Sequence, residues 1–220
     1  MHHPVELLDA FERRHPWQLS GAARIADIQE VRRVGARVTR ARTADQTAAA
    51  IFWNASVDVA WMAAARAAAR EAGGDAHDAE VIVAAVASAI ARSQAIARRL
   101  REQSWSPRPQ ALVLGEATSR IASPDAQWES LLETPADSET PCAGCLAAGA
   151  AAGVLRAFMP CDTLEVSVTY PLERGLTRRF HSLSEMLQES EDARIWAGLH
   201  LRATVVESTE MGVRLARFRR

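Results

Sequence analysis

Between Cys142 and Leu155 the chain runs fourteen residues without a charge, built only from Ala, Gly, Cys, Leu and Val. Such a segment has one stable home in a water-soluble fold: a helix buried on most of its sides. At that length it falls short of a membrane span, as does the apolar stretch Val81–Ala91. The rest of the chain must therefore supply a cover for it.

The composition supplies helical cover. Alanine accounts for 44 of the 220 residues, and all 26 basic residues are arginine. A chain rich in Ala, Leu and Arg with one tyrosine has high helix propensity and little strand material. The complete absence of lysine points to genomic base composition rather than to a site. With 27 acidic residues the net charge is −1, which opposes a general nucleic-acid binder. Met1–Phe11 carries Glu6 and Asp9 and lacks the basic start and apolar core of a signal peptide. The three cysteines show no disulfide framework, so a reducing cytoplasm is the expectation.

Periodicity places the helices. Ile25, Ile28, Val31, Val34 and Val38 form a stripe at helical spacing. Thr43 and Gln46 have capping-box spacing before Ile51, Phe52 and Trp53. Asn54–Ser56 interrupts that helix, Val57–Arg70 continues around Trp61, and Gly73-Gly74 breaks the chain. Asp75–Arg101 is the longest helical stretch, with Ile82, Val86, Ala89, Ile90, Ala97 and Leu100 on one face, stopped by Pro107 and Pro109. Residues 110–140 read as a long irregular connection, a length that in a compact domain is usually functional. Cys142–Met159 is the buried helix and Leu164–Tyr170 a short strand. Ser182–Gln188, Asp192–Gly198 and Thr204–Phe218 follow as helices. The expectation is an all-α helical bundle with one long irregular connection, as a single domain over residues 17–220 behind an N-terminal extension, 1–16.

Three clusters carry chemistry. Arg101 and Arg108-Pro109 set two guanidiniums at a helix end, able to clamp a tetrahedral oxyanion or simply to form a solvated basic terminus. Pro141-Cys142-Ala143-Gly144-Cys145 opens the small-residue helix, where free backbone N–H groups bind anions. The same segment reads C-x-x-C, a spacing suited to thiol–disulfide exchange, although no βαβ pattern surrounds it. Finally, Arg194 precedes His200 by six residues, with Gly198 placed to bend the chain between them. His200 is a candidate nucleophile or a ligand to a metal oxyanion.

In this order the clusters resemble the vanadium-dependent haloperoxidases and the related type-2 phosphatidic-acid-phosphatase superfamily. That pattern is Lys, six residues, Arg-Pro; then Pro-Ser-Gly-His; then Arg, five residues, His, three residues, Asp. Arg101 and Arg108-Pro109 fit the first part, Pro141–Gly144 the second, and Arg194 with His200 the third. Glu30–Gly35, Thr39–Gln46, Phe52-Trp53, Trp128–Pro135, Gly175–Glu185 and Ala193–Arg202 extend the resemblance over about residues 17–220. It covers the active-site half of the soluble bacterial members, which carry a further helical region upstream. The apolar faces that region covers need another cover, so the expectation is self-association through Ile25, Ile28, Val31 and Val34.

The resemblance implies that Arg101, Arg108, Arg194, Cys142, Ala143 and Gly144 hold phosphate or vanadate, with His200 as the nucleophile or vanadium ligand. The departures matter as much. Gly144 stands where the family has its acid–base histidine, a loss that costs on the order of 10²–10⁴ in rate. Thr204 stands where an aspartate orients the nucleophilic histidine, and Cys142 where a serine donates to the oxyanion. His181, Cys142 and Cys145 are the groups left to stand in for the missing acid–base. The sequence thus points to an oxyanion-binding member with impaired ancestral catalysis. The alternatives are an active vanadate-dependent haloperoxidase or acid phosphatase, and a thiol redox protein using Cys142 and Cys145.

Overall fold

A computed structural model describes residues 21–55, 57–73, 75–116, 124–170 and 175–217. The expected extension, 1–16, lies outside the described residues, as do Gly74 and Phe218. Among the described residues there are eight helices and one hairpin. They are α1 (Ala22–Val34), α2 (Ala44–Ala55), α3 (Val57–Glu71), α4 (Ala76–Gln103), α5 (Pro109–Leu114), α6 (Ala143–Leu155), β1 (Thr163–Tyr170), β2 (Leu176–Ser182), α7 (Leu183–Trp196) and α8 (Arg202–Ala216).

The charge-free helix α6 sits at the centre, with α8, α4, α3 and α7 packed around it. Its approach to α8 is backbone on backbone. A β-carbon on Gly149 would lie 2.1 Å from the Thr209 carbonyl oxygen, and one on Gly212 would lie 2.2 Å from that of Leu146. Only glycine permits that contact, which is why small residues dominate this helix. Trp53, Trp61, Phe52 and Phe180 fill the other end of the core.

Local chemistry sets the helix ends. Thr43 and Gln46 form the reciprocal capping box, with N···O distances of 2.9 and 3.1 Å. Asp75 accepts from the N–H groups of His77 and Asp78 at the start of α4. The first turn of α8 has no side-chain cap of its own, and Asp27 of α1 accepts its Ala203 N–H at 2.9 Å. Arg202 pairs with Glu30 of α1 and Asp192 of α7, so that α1, α7 and α8 meet at one junction.

Several elements differ from expectation. Val38 lies beyond the end of α1 and is exposed. Ile28, Val31 and Val34 are not an open face: Leu112, Val113, Trp128 and Ile195 of the same chain cover them. The connection opens with the short helix α5, for which Pro109 provides a preset first position. The two helices expected between Ser182 and Gly198 are one, α7, which accommodates buried Ser190 by a hydrogen bond from its hydroxyl back to the Leu187 carbonyl. The strand β1 pairs antiparallel with β2, which polar Arg178, Arg179 and His181 had hidden: of its residues only Phe180 is buried. Helix α4 is, by length and composition, apolar enough to cross a bilayer, although neither shorter apolar run was. It lies packed on α3 and α6 through Ile82, Val86, Ala89, Ile90 and Ala97.

The glycine contact makes a stability test. Gly149→Leu should cost about 3 kcal/mol in urea denaturation through overpacking, whereas Ala91→Leu on the exposed face of α4 should be near neutral.

Candidate functional site

Four helix termini converge on one cluster. Arg101 lies in the last turn of α4, Arg108 is the N-cap of α5, Arg194 lies in the last turn of α7, and Ala143 and Gly144 open α6. His200 stands just before α8. Gly198 turns the chain between Arg194 and His200 with φ at 79°, and a β-carbon there would meet the Gly35 carbonyl oxygen at 2.6 Å. That turn brings two residues on different helical faces to the same cluster.

Each cation is held differently. Arg101 donates through Nε to the Pro141 carbonyl at 2.9 Å and pairs with Asp137. Arg108 donates to the backbone carbonyls of Asp137 and Leu199 at 3.1 and 3.0 Å, and its Nη2 also pairs with the Asp137 carboxylate. Arg194 donates from Nη2 to the Trp53 carbonyl at 3.0 Å. Its Nε is buried without a partner among the described residues. Burial and the nearby positive charges of Arg101 and Arg108 push its pKa down to about 10, and among the described residues no carboxylate opposes them. A buried guanidinium in this state is costly unless an anion shares the site.

Gly144 explains how Arg194 fits. A β-carbon there would lie 2.4 Å from Arg194 Nη2 and 2.9 Å from its Cζ. The guanidinium therefore lies close against the first turn of α6. The carbonyl it meets is fixed from the far side, because Trp53 Nε1 donates to Glu189 at 2.9 Å and Glu189 is paired with Arg178 of β2.

His200 is buried, with Nε2 3.0 Å from Arg108 Nη1 and Nδ1 3.3 Å from Glu139 Oε1. Glu139 is fully buried as well. Burial raises its pKa, but hydrogen bonds from His200, the Leu201 N–H and Thr140 outweigh that and hold it below the ordinary carboxylate value. Asp137 is likewise held low: burial raises it, and Arg101 and Arg108 outweigh that.

The structure thus brings together Arg101, Arg108, Arg194, His200, Ala143 and Gly144. Cys142 is close but has another role. Its sulfur is joined to Cys145 in a disulfide that the sequence did not lead us to expect, so it has no S–H to donate, and its backbone N–H goes to Ser208. Both sulfurs belong to buried residues. His181 is not a stand-in for the missing histidine, since it is exposed on the hairpin and pairs with Glu165. Asp137 and Glu139 were missed. Their signal was available: two acids lie within seven residues before Gly144, in a chain that brings three arginines to one place. An open groove of about 590 Å³ between Gln29 and Glu129 shares none of these residues.

The family model for the VCPO second helical-bundle domain matches residues 110–219, and the chain belongs to that family of vanadium haloperoxidase-like helical bundles. No curated protein sequence matches it significantly. Among solved structures it is similar to the first bacterial vanadium-dependent iodoperoxidase, with a TM-score of 0.74 and 22% identity over 90% of this chain and 48% of that one. It is also similar to a holo-type bacterial vanadium-dependent chloroperoxidase, with a TM-score of 0.69 and 15% identity over 99% of this chain and 49% of that one. The chain therefore spans about half the length of the haloperoxidases it matches. The fold expected from the sequence is the fold observed.

The buried imidazole makes a pH prediction. Burial first, then the charge of Arg108, pushes His200 from 6.5 down to about 4. Between those values the unfolded chain binds a proton that the folded chain refuses, so stability must fall as pH drops through that window. Urea denaturation at pH 7, 6 and 5 should show the loss, and His200→Gln should make it shallower.

Proposed function

We propose that this chain binds a tetrahedral oxyanion, vanadate or phosphate, among Arg101, Arg108, Arg194 and His200 at the start of α6, and that the acid–base chemistry of active haloperoxidases is impaired in it. One observation carries the reading: among the described residues Arg194 is a buried cation with an unpartnered Nε and no carboxylate, set against two further guanidiniums. An oxyanion supplies the missing charge and the missing acceptor in one group. The N–H groups of Ala143 and Gly144, in the first turn of α6, add donors with the polarity that anions favour.

The same residues suit vanadate. Arg101, Arg108 and Arg194 would neutralise it and His200 Nε2 would be its protein ligand; bound vanadate would supply the Lewis-acid chemistry by which peroxide oxidises a halide. The chain's own contribution is to position the anion and to keep the imidazole neutral. It offers no titratable side chain at position 144, and Arg194 fills the space in which one would sit. The buried disulfide does not favour a thiol-exchange role, since exchange needs an accessible sulfur.

Calorimetric titration of orthovanadate and of inorganic phosphate tests the reading. Saturable binding is expected in the wild type, weakened ~30-fold or more in Arg194→Ala, with thermal unfolding confirming that the variant is folded. Absence of saturable binding of either anion to the folded wild type would sink it. Two variants should move the affinity in opposite directions. Asp137→Asn frees Arg101 and Arg108 from an internal competitor and should tighten binding. Gly144→His should weaken it by driving Arg194 out of place, rather than restore turnover.

A further inference from the structure

The hydrogen-bond partners of His200 admit one tautomer. A guanidinium only donates, so the nitrogen facing Arg108 Nη1 at 3.0 Å must accept, and Nε2 carries a lone pair. An ionised carboxylate only accepts, so the nitrogen facing Glu139 Oε1 at 3.3 Å must donate, and Nδ1 carries the proton. Both demands agree, and the lone pair is directed toward the cationic cluster.

Glu139 is itself held on every side. Its Oε2 accepts from the hydroxyls of Thr140 and Thr204, each at 2.7 Å, and its Oε1 also accepts from the Leu201 N–H at 2.9 Å. Its backbone N–H donates to the Ser106 carbonyl at 3.1 Å, and the flanking Ser138 hydroxyl and Thr140 N–H bond to Ser106 as well. No guanidinium pairs with Glu139 among the described residues; arginine takes Asp137 two positions earlier. A fully buried carboxylate without a cationic partner is expensive unless its hydrogen bonds are complete, and here they are.

We propose that Glu139 is the positioning carboxylate of this site, acting through His200, and that Thr204 serves by aiming Glu139 rather than by contacting the imidazole. The carboxylate reaches the imidazole from the connection before α6, so the threonine on α8 does not leave the histidine unoriented. For ligand binding, the proposal rests on the oxyanion reading; for the imidazole itself it does not. A carboxylate on Nδ1–H strengthens the opposite nitrogen as a donor to a metal. It gives no such help to the binding of inorganic phosphate, which takes no nitrogen ligand in the bound state and meets only the added negative charge. Glu139 therefore makes the site prefer an oxyanion that can take a nitrogen ligand.

The test uses the full chain labelled with ¹⁵N-histidine. In long-range ¹H–¹⁵N spectra at pH 7, His200 of the wild type should show a protonated Nδ1 and an unprotonated Nε2. Glu139→Gln, which keeps shape and removes charge, leaves Arg108 to hold Nε2 unprotonated but weakens the bond on Nδ1–H, so the His200 ¹⁵N shifts should move while the tautomer stays. Calorimetry should show its orthovanadate affinity falling ~10-fold or more, while phosphate affinity is unchanged or rises. Thr204→Val, which keeps the carboxylate, should shift the same signals in the same direction by less. A wild-type His200 protonated on Nε2, or a Glu139→Gln protein with unaltered His200 ¹⁵N shifts and unaltered orthovanadate affinity, overturns the proposal. Should Glu139→Gln fail to fold, the wild-type spectrum and Thr204→Val still decide it: unmoved His200 ¹⁵N shifts in Thr204→Val overturn the role of that threonine. If the wild type binds neither anion, the oxyanion reading fails while the spectra continue to judge the tautomer.

Discussion

The contact on which this structure depends is the close approach of α6 and α8. Gly149 and Gly212 let two helix backbones touch, with a carbonyl of each helix in the space where a side chain of the other would be. That contact fixes the direction of α6, and the direction of α6 decides where its N-terminus arrives. The same economy of volume recurs at Gly144, where the absent side chain leaves room for the Arg194 guanidinium. Packing and chemistry are thus set by one feature, a helix with almost no side-chain bulk.

The electrostatics of the cluster follow from burial. Three guanidiniums and one imidazole meet where water is largely excluded, so each charge is felt by the others. Two of the cations share Asp137, and the imidazole rests on Glu139. Arg194 alone is left to the Trp53 carbonyl. The division has a consequence: among the described residues the cluster completes its own charge pairing except at Arg194. The two acids are also unlike each other. Asp137 lies in reach of solvent and can be displaced, whereas Glu139 is sealed in and held by two hydroxyls and an amide.

The bulk of the fold was legible because helical periodicity is a local property. The Thr43–Gln46 cap, the face of α4 and the buried character of α6 each follow from residues within a few turns of one another. The second strand was not legible, because β2 is polar except at Phe180 and exists by pairing with β1. Nor was the fate of the α1 stripe: its cover comes from α5, Trp128 and α7, distant in the chain.

For the site, the sequence by itself determined the cations and the imidazole. The spacing of Arg101, Arg108, Arg194 and His200 matched a family pattern, and an arginine cannot be other than charged at neutral pH. It also determined that position 144 has no acid or base. The tertiary structure decided what those charges meet. It set Asp137 between two arginines, closed Cys142 and Cys145 into a disulfide, pressed Arg194 onto Gly144 and put Glu139 under His200. The reason is physical: a side chain's identity fixes what it can donate or accept, whereas its partner is fixed by which segments burial brings together.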